Sequence, residues 1–437
     1  MRLRLPALFF SLLVVLCCKA QAADRPKVIL ISIDGLRGRT LASLASQPVH
    51  APNLLEFVQR GSVADGLTGV FPTVTYPSHT TLVTGVSPNA HGILGNGLFD
   101  PEHVTRGAWF WYAQQLERPA LWDRAREAHL VTAAVSWPVT VGARIDYNFP
   151  EYRQYNNNDT LPLYRALCSP GLVEEFEHVH GPLTTHSEND DTRGEMAVFL
   201  LQQHHPDLLL VHLIDMDHEQ HRYGPDSPEA FSALEHIDAI IGKIRAAAEP
   251  NTDIVVASDH GFLPVSQSLQ PNAILDSIGL AAPPAHPEQW RVAVFANGSS
   301  FGLVVHDPQD TEAIRLTTET FKRLASDGRW GIDQVFTSEE LKKTGGYRNS
   351  FLAVGLKSGY MLGGNQTGPW LTPSGNTRGM HGFFPGDPLL EASFVAYGPG
   401  IAQRHLGAHR LVDVAPTIAN LMSLPPVATE GEDLLRH

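Results

Sequence analysis

Three aspartates, three histidines and one threonine stand where the sequence could build a site for phosphoryl chemistry. They are Asp34, Asp217, Asp259, His221, His260, His381 and Thr75. Carboxylate oxygens and imidazole nitrogens are ligands that zinc accepts in proteins. Six such ligands are enough for two metal ions, and ions ~4 Å apart can stabilise both the entering and the leaving oxygen of a displacement at phosphorus. The residue types therefore predict metal-assisted chemistry with a hydroxyl nucleophile.

The clearest spacing is in the segment DMDHEQHRYGP at 215–225, where Asp217 and His221 are four residues apart. On a helix, this spacing places both side chains on one face of a single turn. The Gly-Pro that follows predicts the end of that turn. An oxygen and an imidazole on one face form half of a zinc site. The same pair also occurs on solvated turns without a metal, so the spacing alone leaves both interpretations open.

The remaining ligands follow apolar runs that predict buried strands. Asp34 ends the run at 28–33, and Asp259 with His260 follows the run at 254–257. His381 lies much later, in GMHGF at 379–383. Each of these pieces is ordinary when taken singly, since an aspartate and a glycine at a strand end are common in turns. Their combination is what indicates a site.

Thr75 belongs to FPTVTYPSH at 71–79. Pro77 is well suited to the first position of a helix, which places Thr75 just before a helix N-terminus. The unpaired N–H groups there favour a phosphoryl oxygen, and a threonine hydroxyl beside them can act as a nucleophile. A threonine that only caps the helix has the same sequence signature.

Apolar runs alternate with helical patterns along the chain. The strand candidates are 28–33, 131–136, 208–214, 254–257 and 392–396. Continuous apolar runs of this length suit strands of a parallel sheet that is covered on both faces. The clearest helix follows Ser227-Pro228 and carries an apolar stripe up to Pro250. The pattern predicts a doubly wound α/β fold with its ligands at the carboxyl ends of the strands, and a smaller subdomain inserted at about 265–375.

The composition limits the class of ligand. The 437 residues include 46 Asp and Glu against 32 Lys and Arg, a formal net charge of −14. This charge repels a polyanion, so nucleic-acid polymers are not expected partners. A small anionic substrate must then be attracted by something other than Lys and Arg, and a metal ion is the obvious candidate.

The first 22 residues have the three regions of a secretory signal peptide. Two arginines precede an apolar run at about 5–18, and AQA at 20–22 is a small-x-small cleavage site. After cleavage, Cys168 is the only cysteine, so the export route is expected to be bacterial, with a periplasmic or secreted product. A lipid anchor at Cys17 or Cys18 is the alternative to cleavage after Ala22. No further segment of membrane-spanning length follows.

The order of these motifs resembles the nucleotide pyrophosphatase/phosphodiesterase family of the alkaline phosphatase superfamily. The resemblance runs from about residue 26 to residue 425 and rests on DG at 34–35, PTVTYPSH at 72–79, DHEQHRYGP at 217–225, SDHG at 258–261 and HG at 381–382. It implies an alkaline-phosphatase-like catalytic domain over 23–437 and two zinc ions per chain. Carried over by position, one zinc ion is held by Asp217, His221 and His381, and the other by Asp34, Asp259, His260 and Thr75.

The resemblance also implies the roles of the groups that meet the substrate. Thr75 would attack and form a phosphothreonine, and Asn96, in HGILGN at 91–96, would contact a phosphoryl oxygen. Tyr76, with Tyr152 or Tyr155 opposite, would stack on a base. Two tyrosines that pack on the core are an equally good interpretation of 152–155.

The expected function is a zinc-dependent phosphodiesterase or nucleotide pyrophosphatase acting on small nucleotide-like substrates. A phospholipid headgroup diester or a phosphonate is the alternative substrate for the same chemistry. From a different class, a protein that binds zinc without turnover would be expected to have lost Thr75 or a ligand. This sequence keeps all seven positions, which favours the enzyme.

Overall fold

A computed structural model describes residues 27–105, 107–152, 160–184 and 189–436 of the protein. Most of the apolar runs lie in one sheet of this structure. The expected signal peptide at 1–22, with Cys17 and Cys18, lies outside the described residues, and so does Tyr155. None of the helices in the described ranges combines the length and the apolar character that a membrane span needs.

The strands and helices alternate for much of the chain. The strands are β1 (Lys27–Ile33), β2 (Ser62–Val63), β3 (Gly66–Thr68), β4 (Thr132–Val135), β5 (Tyr147–Phe149), β6 (Leu208–Leu213), β7 (Thr252–Ala257), β8 (Leu263–Leu269), β9 (Val292–Asn297), β10 (Ser300–Val305), β11 (Ile332–Thr337), β12 (Leu352–Leu356), β13 (Gly359–Leu362), β14 (Leu371–Pro373), β15 (Gly379–Met380), β16 (Phe394–Tyr397), β17 (Arg404–His405) and β18 (Ala408–Arg410). The α-helices are α1 (Gly38–Ala42), α2 (Pro52–Arg60), α3 (Thr75–Thr84), α4 (Pro88–His91), α5 (Leu121–Glu127), α6 (Thr160–Leu167), α7 (Leu172–His180), α8 (Asp190–Gln203), α9 (Asp215–Tyr223), α10 (Pro228–Ala247), α11 (Pro271–Ser277), α12 (Thr311–Asp327), α13 (Ser338–Thr344) and α14 (Val414–Leu421).

The main sheet has the strand order β17-β2-β16-β7-β1-β6-β4-β5 in the described residues. Strands β7, β1, β6, β4 and β5 run parallel to one another. The prediction of a mostly parallel α/β sheet is therefore confirmed. The predicted direction of one strand was wrong, because the run at 392–396 gives β16, which is antiparallel to β7. An apolar run shows that a strand is buried on both faces, but it carries no information about the strand's direction.

Both faces of the main sheet are covered, as expected for a doubly wound fold. Side chains of β1 point alternately to the two faces. Ile29 and Ile31 join a core formed with α2, α8 and α10, whereas Val28 and Leu30 join a core formed with α3, α5 and α14. The predicted start of α10 is also confirmed, since the Ala230 N–H donates to the Ser227 hydroxyl at 3.2 Å.

A second, antiparallel sheet lies within the range where the sequence predicts an inserted subdomain. Its strand order is β11-β12-β10-β9, and one face packs with α11 and α12 into a separate core. Phe336, on β11, and Tyr347, in the loop between α13 and β12, contact the ring of Phe71 with centroid distances of 5.6 and 4.9 Å. Phe71 begins the loop that leads into α3, so the second sheet supports the segment that carries Thr75.

Candidate active site

Three neighbouring strands of the main sheet bring the candidate ligands to one edge. Strand β1 lies between β6 and β7. Asp34 follows β1, α9 with Asp217 follows β6, and Asp259 follows β7. The carboxyl ends of parallel strands meet at the same edge, which is where ligands bind in open α/β sheets.

The first cluster consists of Asp34, Asp259 and His260, all of them at most 2% exposed. The Nε2 atom of His260 lies 3.4 Å from Asp34 Oδ1 and 3.0 Å from Asp259 Oδ2. The other oxygen of Asp259 accepts a hydrogen bond from the Gly35 N–H at 3.2 Å. Asp34 Oδ1, Asp259 Oδ2 and His260 Nε2 are buried and make no hydrogen bond in the described part of the chain. Three potential ligand atoms thus converge on one point.

The second cluster forms around Asp217. Its Oδ1 atom lies 3.5 Å from His221 Nε2 and 3.7 Å from His381 Nε2. His260 borders this cluster too, since its ring stacks on His381 with centroids 3.7 Å apart. The ligand atoms of Asp217, His260 and His381 all lie within 4.8 Å of one another. The two clusters are therefore adjacent, with His260 between them.

All three histidines present the same nitrogen to the clusters. The Nδ1 atom of His221 lies 3.0 Å from the Gly379 carbonyl oxygen. The corresponding distances are 3.1 Å from His381 to Thr73 and 3.2 Å from His260 to Gly261. A carbonyl oxygen only accepts hydrogen bonds, so each Nδ1 carries the proton. The lone pair is then on Nε2, the atom that faces the aspartates. This is the tautomer that metal-binding histidines adopt when a carbonyl orients the ring.

Burial makes this group of carboxylates costly without a cation. It raises the pKa of Asp34 to about 6, with a further contribution from Asp259, and it raises the pKa of Asp259 to about 7. Burial raises the pKa of Asp217 as well. A bound cation would favour the ionised carboxylates and supply the partner that their free oxygens lack. Three aspartates and three histidines fit the donor set of two zinc-type ions.

Helix α3 begins at Thr75, two residues earlier than Pro77 predicted. Proline is accepted throughout the first helical turn, because the N–H groups of that turn have no intrahelical acceptor. Thr75 is therefore the first residue of the helix rather than the residue before it. Its side chain is 9% exposed at the edge of the sheet.

Two contacts tie the Thr75 segment to the metal ligands. The Gly382 N–H donates to the Thr73 carbonyl at 2.9 Å, which joins the loop before Thr75 to the His381 segment. One turn into α3, His79 Nδ1 lies 2.8 Å from the Thr75 carbonyl and 3.6 Å from Asp259 Oδ2. The start of α3 is thus held by both clusters.

Asn96 is half-buried beside the same helix. Its Oδ1 atom accepts a hydrogen bond of 2.9 Å from the Tyr76 N–H. This contact fixes the orientation of the side-chain amide, so that the Nδ2 group remains as a donor. A donor next to the first residue of α3 is suited to a phosphoryl oxygen.

The aromatic residues are arranged differently from the expectation. Tyr76 is 0% exposed and packs edge-on against Trp109, with centroids 5.2 Å apart. The structure therefore gives no support to stacking of Tyr76 on a base, because the ring has no accessible face. Tyr152 is half-buried and contacts Trp111 with centroids 4.6 Å apart. The role of Tyr152 stays a prediction, as does that of Tyr155, which lies outside the described residues.

Sequence reasoning missed a buried histidine beneath the first cluster. His212 Nε2 lies 3.0 Å from Asp34 Oδ2, and its Nδ1 lies 3.5 Å from Glu151 Oε2. Burial opposes protonation of this imidazole, but the two carboxylates outweigh it and raise the pKa of His212 to about 10. The available signal was a single polar residue inside the apolar run LLLVHL at 208–213.

The fold and the donor set define a class of protein: an α/β protein whose sheet edge carries a candidate metal centre. A family model described as type I phosphodiesterase / nucleotide pyrophosphatase matches residues 28–384. The chain belongs to this family, and the expected enzyme class is confirmed.

Known relatives agree with this assignment. An uncharacterized pyrophosphatase/phosphodiesterase of Schizosaccharomyces pombe is 26% identical over 424 residues, which cover 92% of this chain and 78% of that protein. The bis(5'-adenosyl)-triphosphatase ENPP4 of Bos taurus is 25% identical over 281 residues, which cover 61% of this chain and 54% of that protein. The chain therefore matches only about half the length of the bovine relative.

Solved structures show the same fold. Human ENPP5 superposes with a TM-score of 0.64 at 20% identity, covering 93% of this chain and 97% of that one. An inactive threonine-to-alanine form of murine ENPP5 in complex with AMP gives the same TM-score of 0.64 at 20% identity. At this level of identity, the likeness shows the fold alone.

Proposed function

We propose that this protein is a zinc-dependent phosphodiesterase and nucleotide pyrophosphatase in which Thr75 is the nucleophile. One observation carries the proposal: Asp34 Oδ1, Asp217 Oδ1 and Asp259 Oδ2 are buried without a hydrogen bond, at the edge where α3 begins with Thr75. Buried ligand atoms without a partner are costly, and their position beside a hydroxyl indicates a catalytic use.

The residues divide the reaction between them. Two zinc ions, when bound, would supply positive charge for the entering and the leaving oxygen. The Thr75 hydroxyl gives its proton to water, and its oxygen forms a bond to phosphorus while the bond from phosphorus to the leaving oxygen breaks. The product is a phosphothreonine that still carries the nucleoside, and the leaving oxygen takes up a proton from water. Water then attacks this phosphothreonine, the bond from phosphorus to the Thr75 oxygen breaks, the nucleoside monophosphate leaves and the Thr75 oxygen takes back a proton. The Asn96 amide, held by the Tyr76 N–H, donates to a nonbridging oxygen in both steps.

The names of relatives support a nucleotide substrate. The bovine relative is a bis(5'-adenosyl)-triphosphatase, and the murine ENPP5 structure contains AMP in a form inactivated by a threonine-to-alanine change. The inactive threonine-to-alanine form fits a threonine nucleophile, and both names fit a phosphoryl bond next to a nucleoside. A phospholipid headgroup diester or a phosphonate is the runner-up within the same chemistry.

We also propose that the protein acts after export, in the periplasm or outside the cell. Residues 1–22 support this proposal, because basic, apolar and small residues follow one another there in the order of a signal peptide. An N-terminal sequence of the purified mature protein that begins at residue 23 would support cleavage. A protein lipidated at Cys17 or Cys18 would contradict it.

The substrate class is tested with three aryl esters that release the same chromophore: a nucleotide diester, a phosphate monoester and a phosphocholine diester. We expect the nucleotide diester to have the highest kcat/KM, with activity lost on chelation and restored by zinc. A preference for the monoester would contradict the diesterase, and a preference for phosphocholine would favour the headgroup alternative. Zinc binding without turnover of any of the three would favour the binding protein.

A further inference from the structure

A buried network of polar groups lies directly beneath Asp34. His212 is 0% exposed and Glu151 is 6% exposed. His212 Nε2 lies 3.0 Å from Asp34 Oδ2, and His212 Nδ1 lies 3.1 Å from the Ser136 carbonyl oxygen. The Glu151 Oε2 atom is 3.5 Å from the same Nδ1. The imidazole is thus held between two carboxylates at a depth that water does not reach.

The atoms that His212 meets define what it does. The Ser136 carbonyl oxygen only accepts hydrogen bonds, so His212 Nδ1 donates to it. The ionised Asp34 carboxylate that a metal ion requires also only accepts, so Nε2 is the donor towards Asp34 Oδ2 in the metal-binding form. This contact occupies Asp34 Oδ2 and leaves Asp34 Oδ1 directed towards His260 Nε2 at 3.4 Å. One oxygen of the ligand is therefore anchored and the other is free for a metal ion. Glu151 Oε2 lies 3.5 Å from His212 Nδ1, on the side of the ring away from Asp34.

The ring itself has little freedom to move. Its backbone is in the middle of the main sheet, where His212 is the register partner of Ser32 on β1. His79 packs on one side, with ring centroids 4.1 Å apart. Ser136 adopts a φ of 51°, in the left-handed region that a non-glycine residue occupies only when its surroundings hold it there. Its carbonyl meets the His212 ring in that conformation.

The same network of polar groups extends to the second cluster. Arg193 Nε donates to the Ser136 hydroxyl at 3.3 Å, and Arg193 pairs with Asp190 at 2.8 Å. Asp190 accepts hydrogen bonds of 2.9 and 3.0 Å from the N–H groups of Ile214 and Asp215 at the start of α9. Helix α9 carries Asp217. A polar network thus connects the support of Asp34 with the helix that presents the other cluster.

We propose that His212, backed by Glu151, is a positioning residue that holds the Asp34 carboxylate in the orientation needed for metal binding. The inference rests on the proposed function, in which Asp34 is a zinc ligand. Outer partners of metal ligands change metal affinity by about 10- to 100-fold when they are removed. We expect a loss of this size at the site that contains Asp34 and a smaller one at the site around Asp217.

The test is a titration of the metal-free full-length protein with zinc alone, competed against a chelating indicator. His212→Leu removes both donors, and we expect zinc at one of two sites to bind about 10- to 100-fold more weakly. His212→Gln keeps one N–H donor and should recover part of that affinity. Glu151→Gln keeps the shape but removes the charge, and should fall between the leucine variant and the wild type.

A matched control separates positioning from general stability. His91 is also 0% exposed, but it contacts Thr81 and the backbone N–H of Ile93 rather than a ligand. His91→Gln should lower the thermal midpoint of the metal-free protein and leave zinc affinity unchanged. If His212→Leu behaves like His91→Gln, with a lower midpoint and two sites of wild-type affinity, the inference is wrong.

The remaining outcomes also decide. If His212→Leu does not fold, wild-type zinc affinity in both His212→Gln and Glu151→Gln overturns the inference. A wild-type protein that binds two zinc ions and cleaves the diester keeps the proposed function whatever the variants do. A wild-type protein that binds no zinc removes the proposed function, and the positioning role with it.

Discussion

Two regions flank Thr75, and they are built in different ways. On one side, five of the six aspartate and histidine ligands follow β1, β6 and β7, two of them on α9, and His381 follows β15. Each histidine has a carbonyl that orients it. On the other side, Tyr76, Trp109, Trp111 and Tyr152 pack on one another between loops. Strand register determines the position of the first set, whereas loop conformation determines that of the second. The difference indicates that the sheet positions most of the candidate metal ligands, whereas the positions of the aromatic residues depend on loops.

The strongest test of the ligand side is the nucleophile itself. Thr75→Ala removes the attacking oxygen and leaves all six aspartate and histidine ligands, so kcat should fall by ~10³-fold or more while zinc remains bound. Thr75→Ser keeps the oxygen and should retain measurable activity, reduced because serine samples more rotamers. Steady-state rates and zinc content of both variants provide the measurement. If the alanine variant kept more than about a tenth of the wild-type rate, its activation free energy would have risen by less than ~1.4 kcal/mol. This result would contradict covalent catalysis.

Asn96 tests whether the donor next to α3 acts in the transition state. Asn96→Ala should lower kcat by about 10²- to 10³-fold, or ~3 kcal/mol, the usual cost of losing one such donor. Asn96→Asp is the matched variant, because it keeps an acceptor for the Tyr76 N–H, loses the donor and adds a negative charge. We expect it to be at least as slow as the alanine variant. A wild-type kcat in Asn96→Asp would show that the amide supports the backbone of α3 and nothing more.

The aromatic side should respond in two separate ways. Tyr76→Ala removes a fully buried ring and should lower the free energy of unfolding by about 3–5 kcal/mol, whereas Tyr76→Phe should leave KM unchanged. Tyr152→Ala should raise KM for a nucleotide diester by an amount equal to ~1–3 kcal/mol if this half-buried ring stacks on the base. Denaturant unfolding and KM measured on the same samples check both expectations. A raised KM in Tyr76→Phe with unchanged stability would restore Tyr76 as a binding residue.

The grouping of Asp34, Asp217, His221 and Asp259 could be predicted from the sequence because their positions follow from local rules. The spacing of Asp217 and His221 needs one helical turn, and α9 supplies it up to Gly224, which has a φ of 95°. The apolar runs before Asp34 and Asp259 place both at one edge of a parallel sheet. Features that depend on packing between distant segments could not be predicted. The antiparallel direction of β16 is one of them.

The contacts of His212 and of Tyr76 are two further features of this kind, and both depend on tertiary packing. His212 reaches Asp34 only because β6 pairs with β1 in the register that joins His212 to Ser32. Tyr76 is buried because the loop carrying Trp109 folds over it. A single sequence contains neither pairing in a local pattern, so a motif can place a residue near a site without giving the direction of its side chain.

The smallest expected effect is in the pH dependence of stability. The pKa of Asp34 is raised to about 6 and that of Asp259 to about 7, chiefly by burial. An acid with a raised pKa in the folded state stabilises that state when protonated, and the stabilisation is lost as pH rises through that pKa. Zinc requires the ionised forms, so the rise in Tm that zinc produces should grow from about pH 5 to about pH 8. A rise in Tm that is constant over this range would place zinc elsewhere.

We propose that two zinc ions and Thr75 act together at this edge of the sheet. The most direct measurement is the rate of nucleotide-diester hydrolysis as zinc is added stepwise to the metal-free protein, with acid-quenched samples examined for a nucleoside monophosphate bound covalently to Thr75. We predict no turnover without metal, a rate that rises until two equivalents are bound, and a phosphothreonine at Thr75 that carries the nucleoside during turnover. Full activity in the metal-free protein or at one equivalent, without this adduct on Thr75, would contradict the proposal.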